Sequence, residues 1–220
     1  MVVRRAILLA LLLAATVGCN APRSATSGDA DHLVDETSGA PEVHVSAPDP
    51  DSPRGRALAA MAKVDAFELY SLQPWQPPAD MGPAPAYGTP QHEIFEREQT
   101  AAWRRSEAEW CTRTACLLRN EILGRTAIGA ADVAPVRDAL RLSLSQVPDY
   151  ATACIAEYRH AIAFEAEGHR YQVLLCYACG QVGLVIDGKA ALEADQTYEM
   201  GDEKALNAIL QRAGVALAKS

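Results

Sequence analysis

Residues 161–188 read AIAFEAEGHRYQVLLCYACGQVGLVIDG, and this stretch decides the fold. Two extended apolar runs meet at Glu167-Gly168, a dipeptide typical of a tight hairpin turn. A third run, QVGLVI, ends at Asp187-Gly188. Short apolar runs that follow one another through tight turns predict neighbouring antiparallel strands.

Helical patterns lie on both sides of this stretch. The segment DVAPVRDALRLSLSQV, residues 132–147, has apolar residues on one face at helical spacing, and Pro135 is tolerated in the first turn. A last apolar stripe precedes Gly214, which is typical of a helix end. We therefore expect an α+β fold, with a mostly antiparallel sheet of about four to five strands covered on one face by two amphipathic helices. The residues of the two stripes are Val133, Val136, Leu140, Leu144 and Val147, followed by Leu206, Ile209, Leu210 and Ala213.

Residues 1–18 have the pattern of an export signal. A short basic region precedes an unbroken apolar stretch from Ala6 to Val17. That stretch is shorter than the roughly 20 apolar residues that span a bilayer. The junction Gly18-Cys19 resembles the lipobox of bacterial lipoproteins, although Thr16 stands where an aliphatic residue is usual. The resemblance implies cleavage before Cys19 and lipidation of its thiol; the alternative is an ordinary cleaved signal with an incidental cysteine.

Composition divides the rest of the chain. Residues 19–55 are rich in Ser, Asp, Pro, Ala and Gly without a sustained apolar period, which predicts a disordered tether. Residues 56–220 are long enough for a single domain with its own core. Six prolines and a charged, helix-prone segment mark an insertion at about 73–118.

Charge narrows the possible partners. The formal net charge is −8, and no cluster of Lys and Arg is visible. An acidic chain of this kind is a poor match for nucleic acid and gains nothing from anionic lipid head groups. We therefore expect an exported protein that contacts a bacterial membrane through its N-terminal lipid and faces the periplasm or the exterior.

The second half of the chain resembles a small domain of exported or lipid-anchored bacterial proteins that have no assigned function. The resemblance covers roughly 120–217: EILGRTAI, a helix, CIAEYRHAIAFEAEGHRYQVLLCYACGQVGLVIDG and ALNAILQRAGVALA. Its pattern is a cysteine before Pro-Arg-His, a hairpin, Cys-aromatic-x-Cys and a closing helix, with Tyr158 here replacing the proline. The resemblance implies a fold but no chemistry. The matching positions are Cys154, Arg159, His160, Cys176, Tyr177 and Cys179.

Five cysteines follow the lipidation cysteine, so at most two disulfides form within one chain. An oxidising compartment favours pairing. Candidate disulfides join Cys111 to Cys116, and Cys154 to either Cys176 or Cys179.

Other interpretations of these cysteines stay open. Cys176-x-x-Cys179 has the spacing of a zinc knuckle, and Cys154 and His160 could complete a tetrahedral Cys₃His site. Buried thiols are a further possibility. A redox pair is disfavoured because CxxC is followed by a β-rich run instead of a helix.

No catalytic constellation is visible in the sequence. We find no paired carboxylates, nucleophile elbow or phosphate-binding loop. His160 beside Arg159 is expected to be a hydrogen-bonded structural histidine. The expected function is a non-catalytic binding or structural role in the cell envelope, without a cofactor, rather than an enzyme; the alternative is a zinc-binding or thiol-active domain.

Overall fold

The computed structural model describes residues 42–78 and 82–219. The predicted signal peptide, Cys19 and the tether up to residue 41 lie outside these described residues. Within them the chain forms four α-helices: α1 (Pro53–Met61), α2 (Pro90–Arg113), α3 (Val133–Ser145) and α4 (Glu203–Arg212). It also forms nine strands: β1 (Val45–Ser46), β2 (Glu68–Gln73), β3 (Cys116–Leu117), β4 (Asn120–Ala127), β5 (Val147–Pro148), β6 (His160–Ala166), β7 (His169–Cys176), β8 (Gln181–Ile186) and β9 (Lys189–Gln196).

Seven of these strands form one sheet in the order β3-β4-β2-β6-β7-β8-β9, and every neighbouring pair is antiparallel. The α+β class and the antiparallel sheet are confirmed, but there are more strands and helices than predicted. Strand β9, KAALEADQ, is charged and mostly exposed, so it lacks the apolar alternation that marks a strand. Strand β3 has only two residues.

Two-residue turns join the central hairpins. Glu167 and Gly168 have φ values of 53° and 81°, and Asp187 and Gly188 have values of 51° and 76°. Positive φ at both central residues matches the right-handed twist of paired strands. The expected turn at Glu167-Gly168 therefore joins β6 to β7, and Asp187-Gly188 joins β8 to β9.

Helices α1, α3 and α4 pack on one face of the sheet. Their apolar stripes meet alternate residues of β6, β7 and β8, and the larger of the two core clusters lies between them. Fully buried residues of this cluster include Leu140, Leu206, Ile162 and Val173. We call this the helix face.

Part of the opposite face is covered by the connection between β5 and β6, residues 149–159, which we call the strap. The ring of Tyr158 in the strap lies over β8, where a Cβ on Gly183 would come within 3.0 Å of Tyr158 Cζ. The Tyr158 hydroxyl donates a hydrogen bond to the carbonyl of Glu193. A second core cluster forms here, so part of this face of the sheet is buried as well.

The folded part of the chain starts earlier than residue 56. Strand β1 pairs with β5, and α1 begins at Pro53. The Ser52 hydroxyl caps α1 by accepting a hydrogen bond from Gly55 N at 3.0 Å. Residues 42–55, expected in the tether, therefore belong to the same compact unit as the sheet.

Arg54 is the most connected side chain of this early segment. It is 3 % exposed. Its guanidinium donates to the carbonyls of Ser143 (2.7 Å), Leu144 (3.0 Å) and Gln146 (2.9 Å) at the end of α3. It also donates to the Gln196 carbonyl at 2.7 Å and to Asp195 Oδ2 at 2.9 Å, at the end of β9. One side chain therefore satisfies five acceptors from two distant elements.

The insertion between β2 and β4 contains α2, which has no buried residue. Trp75 Nε1 lies 3.4 Å from Ser106 Oγ, which places the start of the proline-rich loop against this helix. No helix in the described ranges is long and apolar enough to cross a membrane.

Replacing Arg54 with Met is expected to lower the free energy of unfolding by about 3 kcal/mol or more, because buried carbonyls and Asp195 lose their donor. Urea unfolding followed by tryptophan fluorescence measures the loss. The control is Arg56→Met, two residues away and exposed, which should change stability by less than about 0.5 kcal/mol. Equal losses in the two variants would contradict the role assigned to Arg54.

Candidate functional site

The structure pairs four of the five downstream cysteines. Cys111 bonds Cys116 at the end of α2, with the Cα atoms 5.6 Å apart. Cys154 in the strap bonds Cys179 in the turn between β7 and β8, with the Cα atoms 5.8 Å apart. Both separations are normal for disulfides. Cys176 keeps a free thiol, which is fully buried.

The four residues considered for zinc do not assemble. Cys154 and Cys179 are bonded to each other, and Cys176 lies in the core cluster under the strap. His160 lies on the helix face, where its ring contacts Asn207 of α4. Among residues 42–78 and 82–219, no group of three or more His, Cys, Asp or Glu side chains is arranged to hold a metal ion.

The strap also encloses the free thiol. Glu157 N donates to Cys176 Sγ at 3.3 Å. Thr152 Oγ1 donates to Gln196 Oε1 at 2.9 Å, while Gln196 Nε2 donates to the carbonyls of Cys179 (3.0 Å) and Gly180 (2.7 Å). A thiol buried in this way has no access to reagents in solution, which is typical of an inert core cysteine.

Alkylation of the unreduced, denatured protein tests this pairing. Downstream of Cys19, the reagent should modify Cys176 alone, and peptide mass mapping should recover the pairs Cys111–Cys116 and Cys154–Cys179. Alkylation of all five cysteines, or a native mass that includes zinc, would contradict the pairing.

The two disulfides should differ in how much they stabilise the fold. They close loops with sequence separations of 5 and 25, and the longer loop loses more unfolded-state entropy. Cys154→Ala/Cys179→Ala should therefore cost about 3 kcal/mol and Cys111→Ala/Cys116→Ala about 2 kcal/mol in urea unfolding. The reverse order would show that the strap disulfide does not hold the fold in this way.

On the helix face, His160 is the centre of a small polar cluster. His160 begins β6 and pairs with Ser71 of β2 across the antiparallel ladder, so their side chains lie on the same face. His160 Nε2 is 2.8 Å from Oδ1 of Asn207 on α4. The ring of Tyr177 meets the imidazole edge to face, with the centroids 5.7 Å apart. His160 and Ser71 are 2 % and 1 % exposed.

His160, Ser71 and Asn207 line a cleft of about 60 Å³. Arg159 and Glu203 line this inner cleft and also a neighbouring outer cavity of about 280 Å³, which continues to Tyr177 and Ala178. The chain after α4 forms part of the inner wall, through Leu217 and Ala218. We call the two cavities together the His160 cleft.

Two buried polar atoms in the His160 cleft have no hydrogen-bond partner among the described residues: Ser71 Oγ and His160 Nδ1. Leaving such an atom unsatisfied costs about 1–3 kcal/mol, so polar atoms in folded proteins usually meet a partner. The two atoms make no hydrogen bond to each other, so the pair lacks the contact of an activated nucleophile and its base.

Electrostatics determine the protonation state of His160. Burial is the main cause that lowers the pKa of His160 below its ordinary value, and Arg159 acts in the same direction. The hydrogen bond to Asn207 and the charge of Glu203 oppose the shift. His160 is therefore neutral at pH 7. Since Nε2 donates to Asn207 Oδ1, Nδ1 carries a lone pair.

Acidification should destabilise the protein through this histidine. An unfolded His160 takes up a proton near pH 6.5 and the buried one resists it, so the unfolded state binds more protons and the free energy of unfolding falls as the pH drops below that value. Urea unfolding at about pH 7.5 and about pH 5.5 should show a smaller loss in His160→Gln, which cannot titrate. Equal losses in the two proteins would contradict the assigned shift.

Comparison of the chain with family models, curated proteins and solved structures gave no match. The resemblance to the small domain of exported proteins therefore stays a prediction. Three of the positions that carry it, Arg159, His160 and Tyr177, come together at the His160 cleft.

Sequence analysis missed Ser71 and Asn207. Ser71 lies in an alternating strand pattern and Asn207 faces the sheet from the last helix, so neither differs from an ordinary polar residue of its element. The helical spacing of Asn207 four residues after Glu203 was the available signal, because it places both on one side of α4.

Proposed function

We propose that this chain is an exported bacterial envelope protein, anchored by a lipid on Cys19, whose disulfide-stabilised domain binds a ligand without catalysing a reaction. Disulfides are typical of proteins that fold in an oxidising compartment, and two are present here. The pattern of residues 1–18 supports the same destination.

The binding role depends on one observation, the pair of buried atoms without partners in the His160 cleft. Ser71 Oγ and His160 Nδ1 are placed by two strands of the sheet, which is a rigid scaffold. Unsatisfied polar groups that line a cleft on a rigid scaffold are what a preformed binding site presents before its ligand arrives. A zinc-binding or thiol-active role has no comparable support, because its cysteines are bonded or buried.

Metabolic labelling of the full-length protein with a palmitate analogue tests the anchor. The wild-type protein should incorporate the label and remain with the membrane fraction after a high-salt wash, because two or three acyl chains attach a protein stably. Cys19→Ala should lose the label and leave the membrane fraction. Loss of label from the variant with full membrane retention would contradict anchoring by the lipid.

Ser24→Ala is the matched control, since it changes a small residue five positions downstream and leaves the Gly18-Cys19 junction intact. It should be labelled like the wild type. A wild-type protein that reaches the exterior without any label would support the ordinary cleaved signal instead.

A further inference from the structure

The inner end of the His160 cleft presents hydrogen-bond acceptors. His160 Nδ1 carries a lone pair because Nε2 donates to Asn207 Oδ1 at 2.8 Å. Ser71 Oγ can also accept. Both atoms are buried and have no partner among the described residues. A group that enters here must donate hydrogen bonds, and a primary ammonium group donates three.

Two charged side chains at the boundary of the two cavities, Glu203 and Arg159, can bind a ligand. The Glu203 carboxylate makes no hydrogen bond or ion pair within the described part of the chain, and it lines both the inner and the outer cavity. Arg159 lines both cavities as well, and its side chain has a single long contact, 3.4 Å to Glu157. A guanidinium group forms its best hydrogen bonds with a carboxylate or a phosphate.

The acidic neighbours decide between these two anions. Glu157 and Glu203 line the outer cavity with one arginine, so the cavity walls carry more acidic than basic groups. A doubly charged phosphate would be repelled there by two carboxylates. A ligand with one ammonium group and one carboxylate group is attracted instead, because the acidic side chains attract its ammonium group and the arginine attracts its carboxylate. The arrangement therefore matches a ligand that carries one positive and one negative charge.

Size limits the ligand further. The inner cleft of about 60 Å³ has room for an ammonium group and the carbon next to it. The outer cavity of about 280 Å³ has room for a short side chain beside Tyr177. We propose that the His160 cleft binds a small zwitterion of the amino-acid class, with its ammonium group on His160 Nδ1 and Ser71 Oγ and its carboxylate on Arg159. This inference rests on the proposed binding role of the cleft and names its ligand class.

Calorimetric titration of the full-length protein in detergent tests the assignment, with three probes of similar size. L-alanine carries both charges, L-alaninamide only the ammonium group, and propionate only the carboxylate. L-alanine should bind saturably, and the other two should bind at least about tenfold more weakly, since each lacks one charge-assisted contact. Saturable binding of propionate that equals that of L-alanine would overturn the proposal.

Two variants assign the contacts. Arg159→Gln should weaken L-alanine binding by about tenfold or more and leave binding of L-alaninamide nearly unchanged, because only the carboxylate contact is lost. Ser71→Ala should weaken both. The control is Arg125→Gln, an exposed arginine whose hydrogen-bond partner is Tyr70 under the opposite face of the sheet, which should bind L-alanine like the wild type. Equal effects of Arg159→Gln on both probes would contradict the assigned orientation.

If no probe binds at concentrations up to about 10 mM, which corresponds to an affinity too weak to measure, the cleft holds ordered water only and the ligand assignment fails. Palmitate labelling in the same preparation separates this result from failure of the lipid anchor. A labelled protein that binds none of the probes would remain an anchored envelope protein without the zwitterion site.

Discussion

The guanidinium of Arg54 holds the helix layer to the edge of the sheet. A helix C-terminus leaves its last carbonyls without partners inside the helix, and at α3 those carbonyls are buried. Arginine meets this need because its fork of five donors carries a charge that is favourable at the negative end of a helix dipole. Asp195 and the end of β9 accept the remaining hydrogen bonds. The contact thus ties the end of α3 to the end of β9.

The strap has the corresponding role on the other face. Antiparallel sheets often leave one face in water, but here the strap covers part of that face, and the Cys154–Cys179 disulfide fixes the strap to the turn between β7 and β8. The strap leads directly into β6. Arg159, its last residue, and His160, the first residue of β6, therefore follow a segment that the disulfide fixes covalently. The disulfide on one face therefore helps to define the position of a cleft on the other.

Local chemistry decides which parts of the fold the sequence can predict. The turn at Glu167-Gly168 was predictable because glycine favours positive φ. The turn between β3 and β4 was not, because Leu118 and Arg119 have φ values of 44° and 65° without a glycine. The Asn120 amide stabilises that turn by donating to the carbonyls of Leu117 and Leu118. The buried position of Arg54 could not be predicted either, because its Pro, Asp, Ser and Gly neighbours have the composition of a linker.

The candidate site depends on strand register, which composition and spacing do not contain. His160 lies opposite Leu175 in the ladder between β6 and β7, and paired residues point to the same face. Cys176 follows Leu175, so its side chain points to the other face. The same alternation that separates His160 from the cysteines brings it to Ser71 and under α4. The spacing of these residues was compatible with a zinc site, but spacing does not fix strand register, and the register of β6 and β7 places His160 and Cys176 on opposite faces of the sheet.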